Sequence, residues 1–130
     1  MMNQQRLKYA IIFLRIVVAL IMFIHGLGRI YLGIVDGFGE FLTLNGFPLG
    51  FYLAWAITIF EIVGSVLIAV GFYVAPLAII FALHLLCGIY LVHLKDGWFV
   101  VGAGRNGAEF SVLLIASFIA LAISHFGKNR

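Results

Sequence analysis

The chain has 130 residues, 65% of them hydrophobic and 10% charged, with a mean hydropathy of +1.19. Soluble domains carry about 25% charged residues, so this balance excludes an ordinary water-soluble enzyme and points to one small membrane domain over residues 1–130. The formal net charge of +3 does not indicate nucleic acid, because the basic residues lie at chain ends, at span ends and inside the first span, not in one patch.

In chain order, Met1–Lys8 is a short polar tail containing Arg6 and Lys8, followed by the apolar run Tyr9–Leu32. A signal peptide would begin similarly. This run is too long for one, holds Arg15 and Arg29 and lacks a small-residue cleavage site, so a retained first span is expected. The connector Gly33–Gly50 is rich in glycine and holds Asp36 and Glu40. It predicts a short interfacial helix capped by Asp36, with Phe38, Phe41 and Leu42 facing the lipid boundary, ending at Asn45-Gly46 before Pro48.

The second span is Phe51–Phe72, about 33 Å long at about 1.5 Å per residue and matched to a hydrocarbon core of about 30 Å. After the brief connector at Phe72-Tyr73-Val74, the third span runs over about Ala75–Leu94 and is expected antiparallel beside the second. The single cysteine, Cys87, lies inside it, so neither an intrachain disulfide nor a self-contained dithiol relay can form. Lys95-Asp96-Gly97 opens a loop through Asn106, and the fourth span runs from Gly107 to about Phe126. The expected architecture is all-α: an integral membrane four-helix bundle with a short interfacial helix between its first two helices. Arg6, Lys8, Lys128 and Arg130 flank one side, Lys95 and Arg105 the other, which predicts cytoplasmic termini, with Arg29 counting the other way.

The polar residues inside the spans carry the functional reading. Glu61 sits near the middle of the second span, where a carboxylate costs about 2.5–3.5 kcal/mol on insertion scales and must be hydrated, paired or protonated. His84 falls at similar depth, His25 about a turn outward, and Arg29, His93, Arg105 and Glu109 nearer the outer surface. His25 and Arg29 share a face of the first span. Gly64 and Ser65 would let a neighbouring helix approach Glu61, and Val112, Leu113, Ala116 and Ala120 continue the stripe of Glu109 as a small apolar seam. A bundle interior lined by Arg29, Glu61, Glu109 and a histidine follows. His84 and His93, nine positions apart, fall on opposite faces of an α-helix and are not expected to share one centre. His84 can face the interior or bond a carbonyl, and His93 can serve a site or the interface. Arg15 is expected to snorkel to the inner headgroups. For Arg29 with Glu61 or Glu109, a structural ion pair and a binding role are both open.

Gly102-Ala103-Gly104-Arg105-Asn106-Gly107 fits the dinucleotide fingerprint literally, but no strand–helix–strand unit surrounds it and no acid follows about 20 residues on. It is expected to be a flexible outer loop, with Trp98 and Phe99 at the interface. The histidines lack metal-ligand spacing, so no metal site is expected and a haem between His25 and His84 is disfavoured.

The sequence resembles the DoxX family of small four-helix bacterial membrane proteins. The resemblance rests on Arg15 and His25-Gly26-Leu27-Gly28-Arg29, on Asn45-Gly46-Phe47-Pro48, on Glu61 with Gly64 and Gly71, on His93 with Gly97-Trp98-Phe99, and on Asn106-Gly107 with Glu109. Arg29 stands where the family commonly has lysine. Named members are linked to thiosulfate:quinone oxidoreductase and others to membrane redox complexes, which implies a multi-pass protein of the bacterial inner membrane and a polar pocket of Arg29, Glu61, His93 and Glu109 with His25 beside it. A quinone is the ligand implied, with His25, Arg29, His84 and His93 binding its oxygens and Glu61 and Glu109 as the catalytic proton carriers. One thiol cannot relay two electrons, so redox work would need a partner oxidoreductase, soluble or membrane-bound, or a bound cofactor. The alternatives are a non-enzymatic scaffold that recruits a partner, with structural buried charges, and a small transporter formed by several chains.

Overall fold

The structure is a computed structural model that describes residues 3–128; Arg130, one of the basic flanking residues, lies outside the described residues. Helix α1 spans Gln4–Tyr31, α2 Val35–Leu44, α3 Gly50–Val70, α4 Val74–Gly88 and α5 Glu109–His125. A π turn, Ile89–His93, and a 3-10 turn, Leu94–Asp96, extend α4 without a break. Among the described residues there is no strand.

α1 begins earlier than its apolar run because Asn3 Oδ1 accepts the Gln5 backbone N–H at 2.9 Å, which caps a helix through the polar tail. α2 forms where the connector predicts it, but its N-cap is Ile34 and Asp36 lies in its first turn without capping it. Leu42 is buried, and Phe38 and Phe41 pack with it against α3, so this face turns to the protein and not to lipid. The close crossing explains the change: a Cβ on Gly39 would stand 2.9 Å from Phe51 Cα, and one on Gly50 would overlap Thr43 and the Gly39 carbonyl. α3 closes with Gly71 in the left-handed region, φ 94°, its N–H on the Ile68 carbonyl and the Phe72 N–H on the Leu67 carbonyl at 2.8 Å.

The helices pack as two pairs, α1 on α3 and α4 on α5, joined where α1 meets α5. Sequence neighbours α3 and α4 approach each other at few backbone positions, contrary to the expectation from their short connector. Bulk decides it: Phe60 and Phe81 stand between them with centroids 4.7 Å apart, while Gly26 lets α1 lie directly on α3. The core continues through Phe81 stacked on Phe118 at 5.1 Å and through Val18, Met22, Ile68 and Leu121.

Three helical runs, Gln4–Tyr31, Gly50–Val70 and Val74–Asp96, are long and apolar enough to cross a membrane, and α5 is apolar but shorter at 17 residues. Side chains such as Phe13, 71% exposed, and Ile123, 74% exposed, make an apolar exterior suited to lipid. Arg15 reaches toward the end of the bundle that holds the termini, as expected of it, but its guanidinium is tied within the chain. Its Nη1 donates to His125 Nε2 at 3.2 Å and its Nη2 to the Ala69 carbonyl at 3.3 Å, so it ties α1 to the C-terminal ends of α5 and α3, where carbonyls favour a cation.

Candidate functional site

Gly26 is the pivot of the site. A Cβ there would lie 2.9 Å from Ile62 Cγ1, 3.0 Å from Glu61 Cβ and 3.1 Å from the Thr58 carbonyl, so only glycine allows this α1–α3 approach. One turn further along α1, Arg29 then reaches Glu61, which is 1% exposed. Arg29 Nη1 donates to Glu61 Oε2 at 2.5 Å and to Thr58 Oγ1 at 3.0 Å, and Thr58 donates onward to the Ala54 carbonyl at 2.8 Å. The second carboxylate oxygen, Oε1, accepts from His84 Nε2 on α4 at 2.9 Å. The guanidinium carbon also lies 4.8 Å from the Phe38 ring centroid, a cation–π contact supplied by α2. One buried acid is thus held by two helices that are not its own.

His93 reaches the same region through the π turn. An i→i+5 turn advances each residue by less than the about 100° of an α-helix, so His93 is displaced from the face opposite His84. Both histidines border one cavity, which corrects the opposite-face expectation. His93 Nδ1 donates to the Asn106 carbonyl at 2.8 Å. The Gly97–Ala108 loop is pinned, not loose: the Gly107, Ala108 and Glu109 N–H groups donate to the Phe99, Gly97 and Trp98 carbonyls, and Asn106 Nδ2 donates to Asp96 Oδ2 at 2.8 Å.

The cavity has a volume of about 340 Å³. Five of the residues singled out in the sequence line it: His25, Arg29, Glu61, His84 and His93. Glu109 does not; its Oε1 accepts the Val100 N–H at 2.9 Å and so holds the loop. The seam expected beside Glu109 is also absent from the interior. Val112, Leu113, Ala116 and Ala120 are exposed, and α5 buries Ser111, Leu114, Phe118 and Leu121 instead. The helix is apolar all round, so periodicity could not orient it. A Cβ added at Gly64 would stand 3.2 Å from the rings of Phe60 and Phe81, so this glycine makes room for aromatic side chains and not for a helix backbone.

Sequence reasoning missed Thr58, Phe38, Asn106 and Ser111. Thr58, three residues before Glu61 on one helix face, was discoverable; the other three reach the site through crossings and a loop that carry no local signal.

The donors fix the imidazoles. A carbonyl only accepts, so His25 Nδ1, 3.1 Å from the Ile21 carbonyl, and His93 Nδ1 both carry protons, and an imidazole in that tautomer keeps its lone pair at Nε2. His84 gives its Nε2 proton to Glu61, leaving Nδ1 unengaged by any described side chain. The site therefore combines a charge-paired acid with imidazole acceptors beside it, a set able to bind a small ligand bearing hydroxyl or carbonyl oxygens and to accept or return its protons. Among the described residues no three His, Cys, Asp or Glu side chains are grouped to hold a metal ion.

The DoxX family model matches residues 10–94. The chain belongs to the DoxX family. It is also similar to a Bacillus subtilis (strain 168) protein named "Putative oxidoreductase CatD", with 32% identity over 111 residues, 85% of this chain and 75% of that protein. No solved structure matches the chain. The matched DoxX region contains His25, Arg29, Glu61, His84 and His93, whereas Asn106, Glu109 and Ser111 follow it.

Proposed function

We propose that this DoxX protein is a membrane redox-associated subunit that binds a quinone, or a small ligand with similarly placed ring oxygens, and works with a partner oxidoreductase. The observation that carries the reading is the convergence of His25, Arg29, Glu61, His84 and His93 on one cavity of about 340 Å³. That volume lies at the small end of ligand sites, about 300–1,000 Å³, and suits a single-ring head group with its tail along the apolar exterior. The oxidoreductase name of the Bacillus subtilis relative supports the activity class. In this reading the Nε2 atoms of His25 and His93 accept hydrogen bonds from the ring hydroxyls of the reduced form, Glu61 and His84 pass protons, Glu109 keeps the loop over the cavity, and the partner takes the electrons. In this reading the termini lie on the cytoplasmic side of a bacterial inner membrane, an orientation the basic flanks favour, and the cavity lies in the outer half.

A second reading, a non-enzymatic scaffold, is favoured by one observation: both oxygens of Glu61 are already satisfied within the chain. Titration of the purified protein in lipid nanodiscs with a short-tailed quinone, oxidised and reduced, separates the two. Saturable binding that weakens in Glu61→Gln and His84→Ala supports the ligand site. Absence of binding by either form, with both variants simply less stable, supports the scaffold.

A further inference from the structure

A second cavity lies at the other end of the bundle, where α1 starts and α5 ends. It has a volume of about 990 Å³ and is bordered by Lys8, Arg15, His125, Lys128 and Ser124, with Tyr9 and two glutamines at its rim. Among the described residues no carboxylate lines it. The chain's five acids, Asp36, Glu40, Glu61, Asp96 and Glu109, belong to α2, mid-α3 and the loop side of the bundle, and none pairs with Arg15, Lys8 or Lys128 among the described residues. Three cations thus share a recess without an acidic side chain as counter-charge among the described residues.

The hydrogen bonding of Arg15 shows the same deficit. His125 Nδ1 donates towards the Leu121 carbonyl at 3.0 Å, so its Nε2 is the lone pair that accepts from Arg15 Nη1, and this histidine adds no negative charge. One carbonyl, of Ala69, takes Nη2. Arg15 Nε is sealed from solvent and has no partner among the described residues. A guanidinium has five N–H donors, and here the protein answers two of its nitrogens with neutral acceptors. Leu7, Ile11 and Ile12 form an apolar wall beside the cations.

We propose that this recess binds the phosphodiester of an anionic phospholipid, with Lys8, Arg15 and Lys128 around the phosphate and an acyl chain along Leu7, Ile11 and Ile12. Basic recesses between membrane helices suit such head groups, and each lysine near an anionic surface contributes about fivefold in affinity. The apolar wall selects a lipid over free phosphate, which carries nothing to place there. The site is separate from the quinone reading, since it shares no residue with the first cavity.

The test uses native mass spectrometry of the whole protein released from nanodiscs of phosphatidylglycerol and phosphatidylcholine in equal parts, together with thermal shifts in detergent on adding each lipid or inorganic phosphate. Phosphatidylglycerol is expected to be retained preferentially and to raise the melting temperature more than the other two additives. The exposed double variant Lys8→Gln/Lys128→Gln, which leaves the core untouched, should lower that retention by about 25-fold while phosphatidylcholine retention stays constant. Equal retention of the two lipids, an unchanged variant, or a phosphate shift matching that of phosphatidylglycerol would each overturn the proposal.

Discussion

Arg29 and Glu61, on α1 and α3, meet through one nitrogen: Arg29 Nη1 lies 2.5 Å from Glu61 Oε2 while also donating to Thr58 at 3.0 Å. The acid side chain is 2% exposed and the arginine 16%, so the pair is screened little by water. Removing one partner should cost more than removing both. Arg29→Leu is expected to lower stability by about 3–5 kcal/mol by leaving a buried carboxylate without its cation, while Arg29→Leu/Glu61→Leu recovers much of that loss. Reversible unfolding in mixed micelles, read as a double-mutant cycle, checks it; additive losses would show that the two residues act independently.

Gly26 and Gly28 are both α1 glycines, yet substitution should act in opposite directions. A Cβ on Gly26 meets Ile62, Glu61 and Thr58 at 2.9–3.1 Å, whereas one on Gly28 meets nothing within 4 Å. Gly26→Ala is expected to destabilise by about 1–3 kcal/mol and to move Arg29 away from Glu61, weakening ligand binding with it. Gly28→Ala should instead stabilise by about 0.5–1 kcal/mol through helix propensity. Melting temperatures of the two variants, measured side by side, decide the point.

This pair of glycines also shows what the sequence could and could not disclose. Helix existence was legible, because apolar length and a few caps determine it: α3 falls close to its expected bounds, α1 starts at Gln4, five residues before Tyr9, through the polar tail, and α4 reaches the expected end only with its π and 3-10 turns. Comparing depths put Arg29, Glu61, Glu109 and a histidine in one interior and left Arg29 a choice of two acids; the structure pairs it with Glu61 and turns Glu109 to the loop. Which histidine faces the acid could be narrowed, but the sharing of one cavity by His84 and His93 could not, because it depends on a π turn that no residue pattern announces. The face of α5 was illegible for a different reason. A helix apolar on every side gives burial no preferred direction until its neighbours are in place, and Phe81 against Phe118 makes that choice.

Glu109 tests the role of the loop. Its carboxylate accepts the Val100 N–H at 2.9 Å, so Glu109→Ala leaves that donor without its partner while Glu109→Gln keeps a carbonyl acceptor. The alanine variant should lose about 1 kcal/mol locally, seen as roughly fivefold faster amide hydrogen exchange at Val100, with the glutamine variant close to the parent. Equal acceleration in both variants would mean that charge, not the hydrogen bond, holds the loop.

His25 and His93 lead to an expectation about the form of the ligand. Each gives its Nδ1 proton to a carbonyl, Ile21 and Asn106 respectively, so each presents Nε2 as an acceptor beside the cavity. Hydroxyl groups can donate to those lone pairs and quinone carbonyls cannot. The reduced, hydroxyl-bearing form should therefore bind more tightly than the oxidised form, and His93→Phe should erase about three- to tenfold of that difference, the worth of one hydrogen bond. Titrating both redox forms against parent and variant reads the ratio directly. A variant that weakens both forms equally would assign His93 to shaping the cavity through Asn106, and a parent that prefers the oxidised form would reverse the direction in which this site favours electron flow.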